Sequence, residues 1–365
     1  MRRTRAVLGL AAAAAASAFA AGPAAATETV DDNRAQCPSA PHTSIQAGVN
    51  AASPGELVLV CDGVYREVVT IAGPAKDGVR LVANATLRAT INQPDDVIGN
   101  GIVQILGADN VQVRRFVIDG DNELVTEPHA AVFLDRGATG GLISENLITQ
   151  DDADAGAFAC GVALLDSSRA TIDRNRIEQY EACGIEVQGR SRALITRNTL
   201  RASPTLEQGF APQKGIYVTS GQAEILGNQI SGNRSSAANT PGAGVEDHSG
   251  GFGFADRISG NRVSDNDVGL LLNFLNNSLV SYNSVSSNSQ QGILLGAAST
   301  GNKIERNDAL GNGGLDCEDG TAGSNPAQPA HPRYTTRNLW VNNKGLDADP
   351  GPICTPSGNA GPPVQ

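Results

Sequence analysis

Two glutamates recur at one place in a repeated phrase, Glu186 in CGIEVQ and Glu246 in AGVEDH. Side chains alternate between the two faces of a strand, so stacking these phrases puts Glu186, Gln188, Glu246 and His248 on one face. The copy between them, KGIYVT, adds Tyr217 and Thr219. Earlier and later copies add Phe133 and Asp135, Ala163 and Leu165, Leu271 and Asn273, and Leu294. Paired carboxyls are the equipment of glycoside hydrolysis: one protonates the leaving oxygen while the other activates water or attacks the sugar. Glu186 and Glu246 fall two repeats apart, about 9.6 Å at the backbone for stacked strands. Inverting glycosidases hold their carboxyls roughly 6.5–9.5 Å apart. His248 adds a group able to act as a base or to bind substrate near neutral pH. The candidate catalytic residues are therefore Glu186, Glu246 and His248. The candidate substrate-binding residues are Asp135, Gln188, Tyr217, Thr219 and Asn273. A solvated face with an incidental histidine is the competing reading.

The elements that must position these residues are written in the repeat. Strand glycines stand at Gly161, Gly184, Gly215, Gly244, Gly269 and Gly292, spaced by 23, 31, 29, 25 and 23 residues. The shortest spacing defines a coil, and the longer ones are the same coil with an insertion. Between glycines, an Asn followed two residues later by an aliphatic residue (Ala in the last copy) recurs at Asn146, Asn175, Asn198, Asn228, Asn261, Asn283 and Asn307. A coil with three short apolar runs cannot bury its own hydrophobic face, whereas stacked coils can, each strand pairing in parallel with its equivalent in the next. The expected fold is all-β, a right-handed parallel β-helix of about 22–24-residue coils. At a fixed bend the Asn amides can hydrogen-bond to their counterparts above and below, so the seven read as scaffold rather than chemistry. Leucine-rich repeats have a similar period but need a dense Leu-x-x-Leu-x-Leu phrase that is missing here.

Arg2, Arg3 and Arg5, an apolar run over 6–21 and Ala24-Ala25-Ala26 describe a signal peptide over residues 1–26. Secretion follows, with residues 27–36 as a flexible lead-in. No later segment approaches the length of a membrane span. Of 27 basic and 38 acidic side chains, three Arg leave with the signal, giving 24 against 38 and a net charge of −14. That surface argues against nucleic acid and anionic membranes as partners, and disfavours a polyuronate unless cations bridge the two. Six Cys in an exported chain suggest disulfides. Their positions suggest Cys37–Cys61, Cys160–Cys183 and Cys317–Cys354, although fifteen connectivities are possible. Cys160 and Cys183 lie one coil apart, each just before a strand glycine, at a spacing a disulfide can bridge. An open stack needs caps. TSIQAGVNAA (43–52) suits a short helix over the first coil, within a cap at 37–53, and ELVLVCDGVYREVVTI gives two strands around Gly63. Coils fill 54–314, a stapled cap spans 315–355, and 356–365 forms a flexible tail. One domain, read as a monomer, occupies 37–355.

The phrase TSIQAGVNAASPGELVLVCDGVYREVVTI, the coils and the DCED…RNLWVNN…C tail together resemble the pectate-lyase-like β-helix superfamily. More narrowly, they resemble its secreted right-handed parallel β-helix repeat proteins. The resemblance implies that the first sheet, here the Gly-Ile-x-Val runs, lines a groove for polysaccharide or cell-wall glycan. Insertions at 120–129, 151–159, 202–214 and 235–243, with the loop 249–254, would wall it. It also implies a polysaccharide lyase or glycoside hydrolase, with a non-catalytic carbohydrate-binding, adhesion or structural exoprotein as the alternative. Departures matter. The Asn-Thr-Asp and Gly-His-Gly phrases of polygalacturonases are absent, Asp151-Asp152 is expected in a loop, and Arg114-Arg115 lacks the Pro-containing strand of the lyases. Alginate-epimerase phrases are missing, and aromatics make up 4% of residues with one Trp, Trp340. No cofactor is implied with certainty. DGDNE (119–123) and DDAD (151–154) gather the oxygen ligands Ca²⁺ prefers, without the glycine and distal Glu of an EF-hand.

Overall fold

A computed structural model describes residues 27–94, 100–121, 129–152, 159–204, 212–237, 240–249, 255–296, 299–322, 338–349, 351 and 353–358. The segment expected to be a signal peptide, most of the expected C-terminal tail and most of the insertions expected to wall a groove lie outside these residues. The strands assemble into three all-parallel sheets of eleven, twelve and nine strands, and each coil visits them in turn. Cys183–Gln188 lies in the first sheet, Arg192–Thr196 in the second and Thr199–Ala202 in the third. Ile185, Val187, Ile195 and Leu200 point inward and are fully buried, and the equivalent aliphatics of other coils stack on them as one continuous core. Among the described residues no helix is long and apolar enough to cross a membrane.

The Asn-x-Ile phrase sits at the bend from the second sheet into the third. Asn146, Asn175, Asn198, Asn228, Asn261, Asn283 and Asn307 form an unbroken ladder, which Asn343 extends by a rung. Each side-chain amide donates to the next Asn Oδ1 at 2.9–3.1 Å. It also donates to a backbone carbonyl of the preceding coil, as Asn228 does to Ile195 at 2.9 Å. The residue before each rung lies in the left-handed region at eight successive positions, from Glu145 to Asn342, with φ between 54° and 68°. Only two of the eight, Gly227 and Gly260, are glycine. The ladder therefore holds ordinary residues in a conformation they adopt at some strain.

The strand glycines have a different origin. At Gly161, Gly184, Gly215, Gly244 and Gly269 a Cβ would lie 2.3–2.6 Å from a third-sheet side chain and within 2.8 Å of the next glycine's carbonyl. The corner between third and first sheets has no room for one.

The ends refine the expectations. Residues 27–36 are not a loose lead-in: Thr27–Val30 forms a strand paired in parallel with Leu57–Val60. Asp31 anchors the loop that follows, accepting backbone N–H bonds from Asn33, Arg34, Gln36 and Cys37. Burial alone would raise its pKa, but those donors hold the carboxyl below its ordinary value. Helix α1 (Ile45–Ala51) starts at Ser44, whose Oγ accepts from Ala47, and buries Ile45 and Val49. The run 56–71 holds three strands rather than two, Leu57–Val60, Gly63–Arg66 and Val69–Ala72, one for each sheet. At the other end the coil continues. Trp340 stacks beside Ile304 in the second sheet, and Cys317 beside Ile293 in the first. All three expected disulfides are present. Asp151 and Asp152 close the third-sheet strand Leu147–Asp152, past a register shift after Thr149, instead of lying in a loop.

Candidate functional site

Parallel pairing in register builds one outward column on the first sheet. It runs Gln104, Phe133, Ala163, Glu186, Tyr217, Glu246, Leu271, Leu294 and Glu318. A second column, two residues on, places Gln188, Thr219 and His248 side by side. A third begins just before the strand glycine: Ala130, Cys160, Cys183, Lys214, Ala243 and Val268.

Polar groups gather in the middle of this face. Glu246, only 7% exposed, lies between two nitrogen groups: His248 Nε2 is 3.1 Å from its Oε1, and Lys214 Nζ is 3.3 Å from its Oε2. The Lys214 contact is an ion pair without hydrogen-bond geometry, since Oε2 has no hydrogen-bond partner. Burial acts to raise the Glu246 pKa, but the His248 hydrogen bond and the Lys214 charge outweigh it and hold the carboxyl below its ordinary value. Glu186 shows the opposite balance. Burial pushes its pKa up, and the charge of Lys214 offsets this only in part. The lysine ammonium also sits 3.7 Å from the centre of the Tyr217 ring. Asn273 Nδ2 meets His248 Nε2 at 3.1 Å. One ring nitrogen cannot accept from Asn273 and donate to Glu246 together, so the proton on His248 decides which neighbour it serves.

The structure thus brings together Glu186, Tyr217, Glu246, His248 and Asn273. Thr219 stands beside His248, and Gln188 is exposed one coil below. Asp135 is two coils below Gln188, across Leu165, and does not join the cluster. Two participants were missed from sequence. Lys214 precedes its strand glycine as Cys160 and Cys183 do, and their shared position before the glycine was the available signal. Phe274 follows Asn273, and its ring centroid is 6.3 Å from that of His248.

The scaffold beneath the cluster is a second ladder, at the return from third to first sheet: Asn233, Asn266, Asn288 and Asn312. It too was legible, because each member follows a first-ladder Asn by five residues. Asp267 ties the chain entering the Glu246 strand, accepting from the N–H groups of Ser235 and Gly242. Apolar ground flanks the cluster on the outer face: Phe133, Cys160, Ala163 and Cys183 on one side, Ala243, Val268 and Leu271 on the other, all buried.

Among the described residues, the groups close enough to share an ion are Asp31–Cys37–Cys61 and Cys160–Cys183–Glu186, and both rest on disulfide sulfurs. Residues 122–123 and 153–154 of the acidic runs expected to suit Ca²⁺ lie outside the described residues. Arg114 and Arg115, examined as a lyase-type base, instead hold Glu145 in two hydrogen bonds of 2.9 and 3.0 Å.

Residues 70–254 match the family described as "Right handed beta helix region". The chain belongs to that family. Residues 253–322 match "Periplasmic copper-binding protein (NosD)". That stretch contains no His or Met, and its one Cys, Cys317, is in a disulfide, so it lacks the soft ligands copper favours. No curated protein matches the chain by sequence. Among solved structures it is similar to the pectate lyase Pel9A, with TM-score 0.58, 13% identity, and coverage of 79% of this chain and 76% of that one. It is also similar to the Dettilon tailspike protein (TM-score 0.55, 15% identity, 85% of this chain), spanning 60% of the tailspike's length. A third is XylC in complex with xylose, with TM-score 0.50, 11% identity, and coverage of 79% and 70%. At these identities the likeness is one of fold, and a fold of this kind hosts many activities. Three disulfides suit an oxidising compartment outside the cytoplasm.

Proposed function

We propose that the chain is a secreted glycan-active protein that binds a polysaccharide across the first sheet and hydrolyses it between Glu186 and Glu246. The observation that carries this reading is the pair of carboxyls two coils apart on one face, with environments that push their protonation in opposite directions. Such a split is how an acid and a base are told apart. Glu186, whose pKa burial raises, gives its proton to the glycosidic oxygen as the C–O bond breaks. Glu246, kept ionised by Lys214 and His248, takes a proton from water while the water oxygen bonds to the anomeric carbon from the opposite face. The product is a new reducing end of inverted configuration, as the backbone separation of about 9.6 Å favours. His248 and Asn273 hold substrate hydroxyls, with Tyr217, Thr219 and Gln188 along the same face.

The rate is expected to follow a bell in pH, its acid limb below the ordinary carboxylate range and its alkaline limb above it. Glu186→Gln and Glu246→Gln should each lower kcat by about 10²- to 10⁴-fold. The assay is the purified protein on a polysaccharide panel, with calcium or chelator, reading reducing ends and unsaturated products. Unsaturated products would replace hydrolysis by elimination. Products unaffected by both variants would sink the assignment. A non-catalytic carbohydrate-binding protein is the second reading, favoured by the apolar ground on both sides of the polar cluster.

A further inference from the structure

Phe274 occupies a place that its neighbours in the stack do not explain. It follows the last outward residue of its first-sheet strand, as Gly107, Arg136, Asp166, Gly189 and Ser220 do in earlier coils. All six lie in the left-handed region, with φ from 49° to 65°. Five are glycine or polar, as that conformation favours, while Phe274 is bulky and apolar at φ 55° and 52% exposed. An aromatic ring in that conformation is strained, and nothing in the core receives it in return.

What surrounds the ring is informative. It stands edge-on to His248, which is edge-on in turn to Tyr217 at 6.2 Å, so three rings run across the polar cluster. Asn273, beside it in sequence, is held by His248 on one side and reaches over Gly296 on the other. A Cβ at Gly296 would lie 1.6 Å from Asn273 Oδ1, so that glycine leaves the space the amide fills. An exposed aromatic face beside a fixed amide and an imidazole matches the chemistry of a pyranose ring, which has an apolar C–H face and a rim of hydroxyls. Glu186 and Glu246 nearby, against Lys214, leave no excess positive charge for a sugar carboxylate.

Resting on the glycan-active reading above, we infer that Phe274 is the stacking platform of a subsite for a neutral pyranose unit, its hydroxyl rim held by Asn273 and His248. The test is calorimetric titration of the full chain, in the Glu186→Gln background so that ligands stay intact. The probes are cellohexaose, xylohexaose and mannohexaose, with an oligogalacturonate as the acidic control. Phe274→Gly removes the ring and relieves the left-handed strain, while Phe274→Trp keeps a ring. Phe274→Gly should weaken neutral hexaose binding by roughly three- to tenfold with Tm unchanged or higher, and Phe274→Trp should retain binding. Unchanged affinity in Phe274→Gly overturns the subsite and leaves the Glu186–Glu246 assignment standing. So does stronger binding of the acidic control. Failure to bind any neutral hexaose overturns the subsite too, and the wider reading falls with it only if the panel assay also yields no product.

Discussion

Asn228→Ala is expected to lower the stability of the folded chain by about 3–5 kcal/mol, far more than removal of one surface amide. Asn228 sits in the middle of the ladder and is buried. Its Oδ1 accepts from both the backbone N–H and the side chain of Asn198, at 2.9 and 3.0 Å. Its Nδ2 donates to Asn261 Oδ1 at 3.0 Å and to the Ile195 carbonyl at 2.9 Å. Alanine leaves two donors of Asn198 unmet and takes a donor from the Ile195 carbonyl, in a place water does not reach, while Asn261 Oδ1 keeps only the backbone N–H of residue 228. Each such group costs about 1–3 kcal/mol, partly relieved by local relaxation. Asn228→Asp tests the same point more narrowly, since it keeps the acceptor and loses the donor. Chemical denaturation should show alanine and aspartate both destabilised while Gln229→Ala, exposed beside them, stays close to the parent. A ladder in which Asn228→Ala matched Gln229→Ala would be ornamental, and the account of the bend would fail.

That bend is also where the sequence was most informative. The Asn-x-Ile phrase must recur because each rung's acceptor is the next coil's amide, so a scaffold contact leaves a visible period. The strand glycines recur for a related reason: the corner they occupy excludes a Cβ in every coil. Cys160 and Cys183 could be paired because parallel register converts one coil of sequence into one inter-strand step. The second ladder, Asn233 to Asn312, is equally periodic but shorter, because Tyr180 and Ser203 stand at the equivalent positions of earlier coils. The site was harder to read. Alternation placed Glu186, Tyr217, Glu246 and His248 on one face correctly, but it carries no information about which neighbours touch. Lys214 falls outside simple alternation because the chain breaks step at the glycine beside it, so its contact with Glu246 emerged only in three dimensions. Asp135 shared the pattern and still lies apart, since the apolar coil of Ala163 and Leu165 intervenes.

One contribution to stability is expected to fall as pH rises from about 4 to about 8, through Asp247 on the inward face of the Glu246 strand together with its neighbour Asp256, whose pKa burial also raises. Asp247 takes the place in the core that Val218 and Leu272 hold in the adjoining coils, and is fully buried. Its Oδ1 accepts from Ser249 N–H, its Oδ2 has no partner, and Ser249 Oγ donates to the buried Asp256. Burial, with the neighbouring Asp256 carboxyl adding repulsion, pushes the Asp247 pKa up to about 8, from an ordinary value of 3.8. A raised acid pKa means that the folded chain keeps a proton the unfolded chain releases. The contribution is whole below the unfolded value and is lost progressively as pH climbs toward the folded one. While only the unfolded chain is ionised, stability declines by about 1.4 kcal/mol per pH unit from this group. Asp247→Asn and Asp247→Leu remove the titration, and leucine continues the apolar column. Both should flatten the dependence and exceed the parent in stability at pH 7.5 by a few kcal/mol, read as the variant-minus-parent difference in denaturation at pH 4.5, 6 and 7.5. A difference that stayed constant across that range would show that Asp247 does not hold its proton in the folded chain. The group also bears on the proposed chemistry. A neutral Asp247 directly behind Glu246 and His248 adds no negative charge to the strand, which leaves Lys214 and His248 free to hold Glu246 ionised.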